Sequence, residues 1–254
     1  MIFRWHLRLT YLFLYGPIAV LMVLSFNRSG LPTAWTGFTF DWYAKLTEAD
    51  ALLNAAWNTL IVAAASTLLA TIIGTMLAVG AESRRKSSAL DALLFAPMII
   101  PDIVLAIGLL SFYTLVQMTL GLHSIVLSHV VFNIAFVCAV VRTRMRQIDP
   151  AMLEASRDLG ASEFTTFRRV LLPNLAPGVI AGALLSFTLS VDEFIIAYFS
   201  SDNTPAATTL PMQIFSMIRF GVTPEINAMA TIVMLFSFTL VLIAQRADRK
   251  AITG

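Results

Sequence analysis

Between Ile103 and Val141 the chain carries no Asp, Glu, Lys or Arg. As one straight helix that stretch would run roughly 58 Å at 1.5 Å per residue, nearly twice the ~30 Å hydrocarbon core of a bilayer. It must therefore cross, turn and cross back, and residues 117–123, with Gly121 among them, supply the turn. The rest of the chain follows suit. Charged residues make up 13% of the 254, about half the roughly 25% of an ordinary globular protein. Six segments approach the ~20 apolar residues that a spanning helix needs: about 10–26, 59–81, 92–116, 122–141, 178–199 and 228–244. The expected fold is an all-α membrane protein with six transmembrane helices in a single domain over residues 1–254.

Orientation follows from the basic residues, which favour cytoplasmic loops. With six spans, 14 of the 17 Lys and Arg fall on one side, including Arg84–Lys86, Arg142–Arg146 and Arg246–Lys250, and only Arg28, Lys45 and Arg219 on the other. Both termini are thus expected in the cytoplasm. Arg4 and Arg8 ahead of an apolar run resemble a signal peptide, but the run ends in Ser25-Phe26-Asn27-Arg28 without a small-x-small cleavage pattern. An uncleaved first span is expected. The single cysteine, Cys138, can form neither an internal disulfide nor a thiolate metal site. It is expected to be a small residue facing lipid or another helix.

The cytoplasmic loop 142–173 has strong helix punctuation. Asp149 before Pro150 reads as an N-cap with proline at the first helical position. A helix over 152–159 would end at Gly160, which supplies a left-handed residue. Ser162 is a second N-cap, Glu163 suits the positive end of the helix after it, and Pro173 is expected to close that helix.

Glu154-Ala155-Ser156, then three residues and Gly160, then nine residues and Val170-Leu171-Leu172-Pro173, resembles the signature of the permease subunits of ABC importers. The departures are Ser156 for Ala and Val170 for Ile. The likeness extends through Asp41-Trp42-Tyr43, Pro101-Asp102-Ile103-Val104, Ser128-His129, residues 158–164, 185–193 and 221–228 to the C-type permeases of spermidine/putrescine importers. It implies a type I ABC importer permease fold in the bacterial inner (plasma) membrane, with a cytoplasmic coupling helix. Glu154, Ala155, Gly160, Glu163, Leu172 and Pro173 would then couple the permease to an ATPase. The implied partners are an ATP-binding subunit dimer, a second homologous permease and a periplasmic substrate-binding protein, besides membrane lipid. ATP and Mg would sit on the ATPase, with no cofactor in this chain. Nucleic acid is not an expected partner.

The carboxylates speak to substrate independently. Asp102 lies about ten residues into the third expected span, and Asp192 and Glu193 about fifteen into the fifth, with no Lys or Arg inside any span. A charge at membrane depth costs several kcal/mol and therefore faces a cavity or a partner. Unpaired acids there call for a cation, a proton or a neighbouring subunit, and a polyamine is a flexible chain of ammonium groups. Alternatives stay open. Asp102 follows Pro101 and can instead cap a broken helix. Asp192 or Glu193 can bond a partner permease. The resemblance implicates the positions of Asp102, Asp192 and Glu193 in polyamine handling, although Glu193 replaces the usual Asp. Ser190 is placed on the same path. Trp42 is either part of an interfacial aromatic belt or a cation–π contact for ammonium groups, the second being what the resemblance supports. His129, with Ser128 and Asn133, reads as an interhelical hydrogen-bond site.

No paired His on one helix face, no Gly-x-Ser-x-Gly and no Gly-x-x-x-x-Gly-Lys occurs. No catalytic or metal residue is therefore expected, and ATP-driven transport would need its ATPase on a separate chain. An ion-coupled secondary transporter would also carry membrane carboxylates, but usually in two similar halves, and no convincing internal repeat is visible.

Overall fold

Apolar length decides the architecture. The computed structural model describes residues 2–30, 34–82, 88–219, 221, 223–235 and 238–239. Its helices are α1 (Ile2–Leu24), α2 (Asp41–Glu48), α3 (Asp50–Glu82), α4 (Ser88–Ile99), α5 (Asp102–Leu115) and α6 (Leu122–Met145). They continue as α7 (Pro150–Asp158), α8 (Glu163–Thr166), α9 (Leu172–Asp192), α10 (Ile195–Ser200), α11 (Leu210–Ile218) and α12 (Pro224–Leu235). Among the described residues four helices are long and apolar enough to cross a bilayer: most of α1, α3, α6, and the continuous run Glu163–Asp192. The turn between α5 and α6 falls where the sequence expects it, with Gln117 at φ 54°.

Three expectations change. The third span is not one helix, because α4 and α5 are bent by 106°. Pro101 carries no N–H and holds the chain extended at φ −55°, ψ 136°, so the helix stops and restarts. The fifth span, expected over 178–199, breaks at Glu193–Phe194. Pro173 does not close a helix either. A π turn over Phe167–Leu171, in which Leu172 N–H bonds Phe167 O, widens the ladder ahead of the proline and carries α8 into α9. Part of the expected sixth span, 236–237 and 240–244, lies outside the described residues, as do Arg84–Lys86 and Arg246–Lys250.

The chain forms two compact units, Asn54–Met212 and Met1–Leu53 with Gln213–Gly254. In the first, α3, α6 and α9 pack through small residues. A Cβ at Gly74 would lie 2.9 Å from Val137 Cβ, and one at Gly182 would lie 3.4 Å from Val137 Cα. In lipid no hydrophobic effect pulls helices together, so close backbone approach supplies the contact energy. Ala70, Ala78, Val137, Cys138, Val141 and Leu175 fill the seam, which makes Cys138 helix-facing.

In the other unit, the chain after α1 folds back on itself. Arg28 N–H bonds Gly37 O, Thr39 N–H bonds Phe26 O, and Phe26 stacks on Phe38 at 5.1 Å. None of the apolar window of α1 is buried, as suits a helix facing lipid or another subunit.

Candidate functional site

Two broken helices meet at the site. Asp102 stands in the first turn of α5, directly after the Pro101 break, and is exposed. Asp192 ends α9 and is exposed. Glu193 follows in extended conformation, and its two carboxylate oxygens accept from Ile196 N–H and Ala197 N–H, each at 3.0 Å. Glu193 thus caps α10, satisfying donors that the helix cannot satisfy itself.

α5 and α10 pack together through Ala106 and Ile196, against Phe132 of α6. That packing sets the start of α5, which carries Asp102, and the start of α10, which follows Glu193, on adjoining elements. The packing of α5 on α10 therefore sets the break before Asp102 beside the break that carries Asp192 and Glu193, which are adjacent in sequence. None of the three acids makes an ion pair with a Lys or Arg among the described residues. Discontinuous helices of this kind are where membrane transporters place polar binding groups.

Behind the acids runs a buried polar chain. Ser66 of α3 meets Ser190 at 3.1 Å, Ser190 Oγ lies 2.6 Å from His129 Nδ1, and His129 Nε2 lies 3.7 Å from Glu193 Oε2. Beside it, Tyr113 OH and Ser200 Oγ each lie 2.7 Å from Ser128 Oγ, and Ser124 Oγ donates to Ser200 O at 2.6 Å. Ser128 and His129 thus make the interhelical bonds expected of them. α10 is held at one end by Glu193 and at the other by α6. Asn58 of α3 donates to Pro205 O, Ala206 O and Thr208 O, fixing the loop that follows α10.

Trp42 belongs to the other unit. Its indole N–H donates to Asn27 O at 2.7 Å, and Lys45 Nζ lies 4.5 Å from its ring centroid. The cation over its face in this structure is the chain's own lysine.

The loop forms as its punctuation predicts. Asp149 accepts from Ala151 N–H at 3.0 Å, Ser162 accepts from Thr165 N–H at 3.2 Å, and Gly160 takes φ 81° between α7 and α8. Across that turn Arg157 holds Glu163 with two bonds, at 2.8 and 3.1 Å, and Ser156 Oγ meets Thr166 Oγ1 at 3.0 Å. The serine that departs from the signature thus ties α7 to α8. Glu154 and Ala155 are exposed on α7, and Leu159 and Phe164 present apolar side chains to the surroundings. Leu172 and Pro173 begin α9.

One ionic cluster escaped sequence reasoning. Arg142, 6% exposed, bonds Asp91 at 2.6 Å and Glu82 at 3.3 Å, and Arg146 adds a contact to Glu82 at 3.5 Å. α6 continues a turn beyond the charge-free run and carries Arg142 between the ends of α3 and α4. Opposite charges at three span ends were visible in the sequence, but their convergence was not.

Residues 70–252 match the family model of the binding-protein-dependent transport system inner membrane component. The chain is 42% identical to the spermidine/putrescine transport system permease protein PotC of Escherichia coli K12, over 96% of this chain and 92% of that protein. It is 39% identical to the Escherichia coli K12 putrescine transport system permease protein PotI, over 90% and 84%. Among solved structures it resembles a bacterial ABC transporter that imports the acidic polysaccharide alginate, with TM-score 0.76 at 18% identity over 95% of this chain and 92% of that one. The MetNI methionine ABC transporter gives TM-score 0.63 at 23% identity, over 78% and 93%. The all-α fold is that of ABC importer permeases, and the chain belongs to the family of binding-protein-dependent transport system inner membrane components.

Proposed function

We propose that this chain is the permease subunit through which an ATP-driven importer passes polyamines, spermidine or putrescine, across the bacterial inner membrane. The observation that carries the proposal is the presence of acids at two helix breaks on packed elements, Asp102 at the start of α5 and Asp192 and Glu193 between α9 and α10, none ion-paired with a Lys or Arg among the described residues. Acids so placed attract a flexible polycation and reject anions. Asp102 and Asp192 are exposed and open to a passing ammonium group, whereas Glu193 is committed to α10 and adds its charge from behind. Ser190 supports them from the buried side, and Trp42 would serve as an outer cation–π contact once its ring is free of Lys45. The names of the relatives, permeases of spermidine/putrescine and putrescine systems, support the same substrate class.

ATP and Mg belong on a separate ATP-hydrolysing dimer, against which α7 and the turn at Gly160 dock, with Glu154, Ala155, Glu163, Leu172 and Pro173 shaping the contact. A second homologous permease completes the path and a periplasmic binding protein delivers the amine. Both termini then face the cytoplasm. The test is uptake of labelled spermidine and putrescine by proteoliposomes containing the reassembled importer. Uptake that needs ATP and the binding protein, and that is competed by polyamines but not by neutral or acidic solutes, is expected. Uptake driven by an ion gradient in vesicles holding this chain alone would contradict it.

A further inference from the structure

The buried imidazole of His129 touches α9 on both sides of the same carboxylate. Nδ1 meets Ser190 Oγ at 2.6 Å and Nε2 stands 3.7 Å from Glu193 Oε2, so the ring bridges Ser190, two residues before the last helical position Asp192, and Glu193, the residue after it. The ring is 1% exposed. Its tautomer follows from its neighbours. With the proton on Nδ1, a bare Nε2 lone pair would face a carboxylate; with it on Nε2, an N–H faces that carboxylate and Nδ1 accepts from Ser190 Oγ–H. Ser190 in turn can accept from Ser66 of α3 at 3.1 Å. The contact to Glu193 is too long for a hydrogen bond and acts as an electrostatic one.

A helix that ends in a break has freedom in its last turn. Here that turn carries Asp192, exposed and without an ion-pair partner among the described residues. The contacts of His129 fall on residues 190 and 193, on either side of it in the chain. A lone serine or threonine would suffice to join α6 to α9, whereas an imidazole is long enough to reach both Ser190 and Glu193, which lie on either side of Asp192 in the chain.

We propose that His129 is a positioning residue of the cation path, clamping Ser190 and Glu193 so that Asp192 faces the passing amine. This rests on the polyamine path proposed above. The clamp touches no substrate, and its loss should cost transported amine without costing assembly or ATP hydrolysis.

The experiment uses the complete importer in proteoliposomes, reading assembled complex, ATP hydrolysis and spermidine moved per ATP. His129→Leu should lower spermidine moved per ATP on the order of tenfold, the range expected for residues coupled in one hydrogen-bond network. His129→Gln, which can accept from Ser190 and donate to Glu193, should recover most of it. The double variant His129→Leu/Ser190→Ala should be no worse than His129→Leu alone. An unchanged ratio in His129→Leu, a Gln variant as poor as Leu, or a double variant losing the product of the two single losses would each overturn the clamp. If His129→Leu fails to assemble, Ser190→Ala carries the test, since it deletes one oxygen: a lowered ratio supports the clamp and an unchanged ratio overturns it. Asp192→Asn in the same preparation separates the two proposals. If it leaves uptake intact the cation path itself is wrong, and the clamp falls with it; if it impairs uptake while the His129 variants do not, only the clamp is wrong.

Discussion

Gly160 holds φ 81° with no atom within 4 Å of where a Cβ would sit, so a substitution there meets backbone strain and not a clash. A β-branched residue in left-handed backbone costs about 1–2 kcal/mol, concentrated at the one joint between α7 and α8. Gly160→Val is expected to insert and assemble but to hydrolyse ATP with less transport per turnover, measured as amine moved per ATP. Ser156→Ala removes the 3.0 Å bond to Thr166 and should cost about 1 kcal/mol, seen as a modest loss of thermal stability with the importer still active. At this scale the loop was largely legible. Asp149, Gly160 and Ser162 act on backbone groups within three residues of themselves, so their chemistry can be read from spacing alone. Glu193 was not legible in the same way. Its partners, Ile196 N–H and Ala197 N–H, become free only because α9 breaks, and the apolar run 178–199 gives no sign of that break.

The broken helices, α4 with α5 and α9 with α10, turn apolar spans into a site. Pro101 was visible, but proline within a membrane helix is often accommodated when neighbours satisfy the freed carbonyls, as the π turn before Pro173 does here. Whether a proline bends or breaks a span is therefore decided by packing that sequence does not display. Two outcomes test these elements. Glu193→Ala leaves the first N–H groups of α10 without their acceptor and should cost about 1–2 kcal/mol, with Glu193→Gln milder, both read as melting of the purified subunit in detergent. Arg142→Ala strips the partner from Asp91 and Glu82, which are 41% and 25% exposed and so partly rescued by water. The expected loss is about 2 kcal/mol, measured by the same melting, while Arg142→Lys should retain part of the stability.

Across the whole molecule, the fold does not choose the cargo. The same architecture serves an importer of an acidic polysaccharide, so selectivity must come from side chains set into it. Acidic side chains stand at both breaks here, which suits the proposed polycation. The long apolar helices α1, α3 and α6 and the two short helices of the loop 142–173 were readable from hydropathy and capping residues. The packing of α5 on α10, which sets the break before Asp102 beside the break at Glu193, was not. The most direct test is spermidine uptake by the reassembled importer carrying Asp102→Asn or Asp192→Asn, with assembled complex measured alongside. Uptake should fall on the order of tenfold or more for either variant, with the amount of complex unchanged. Uptake that is undiminished, or that falls only in step with assembly, would contradict the cation path.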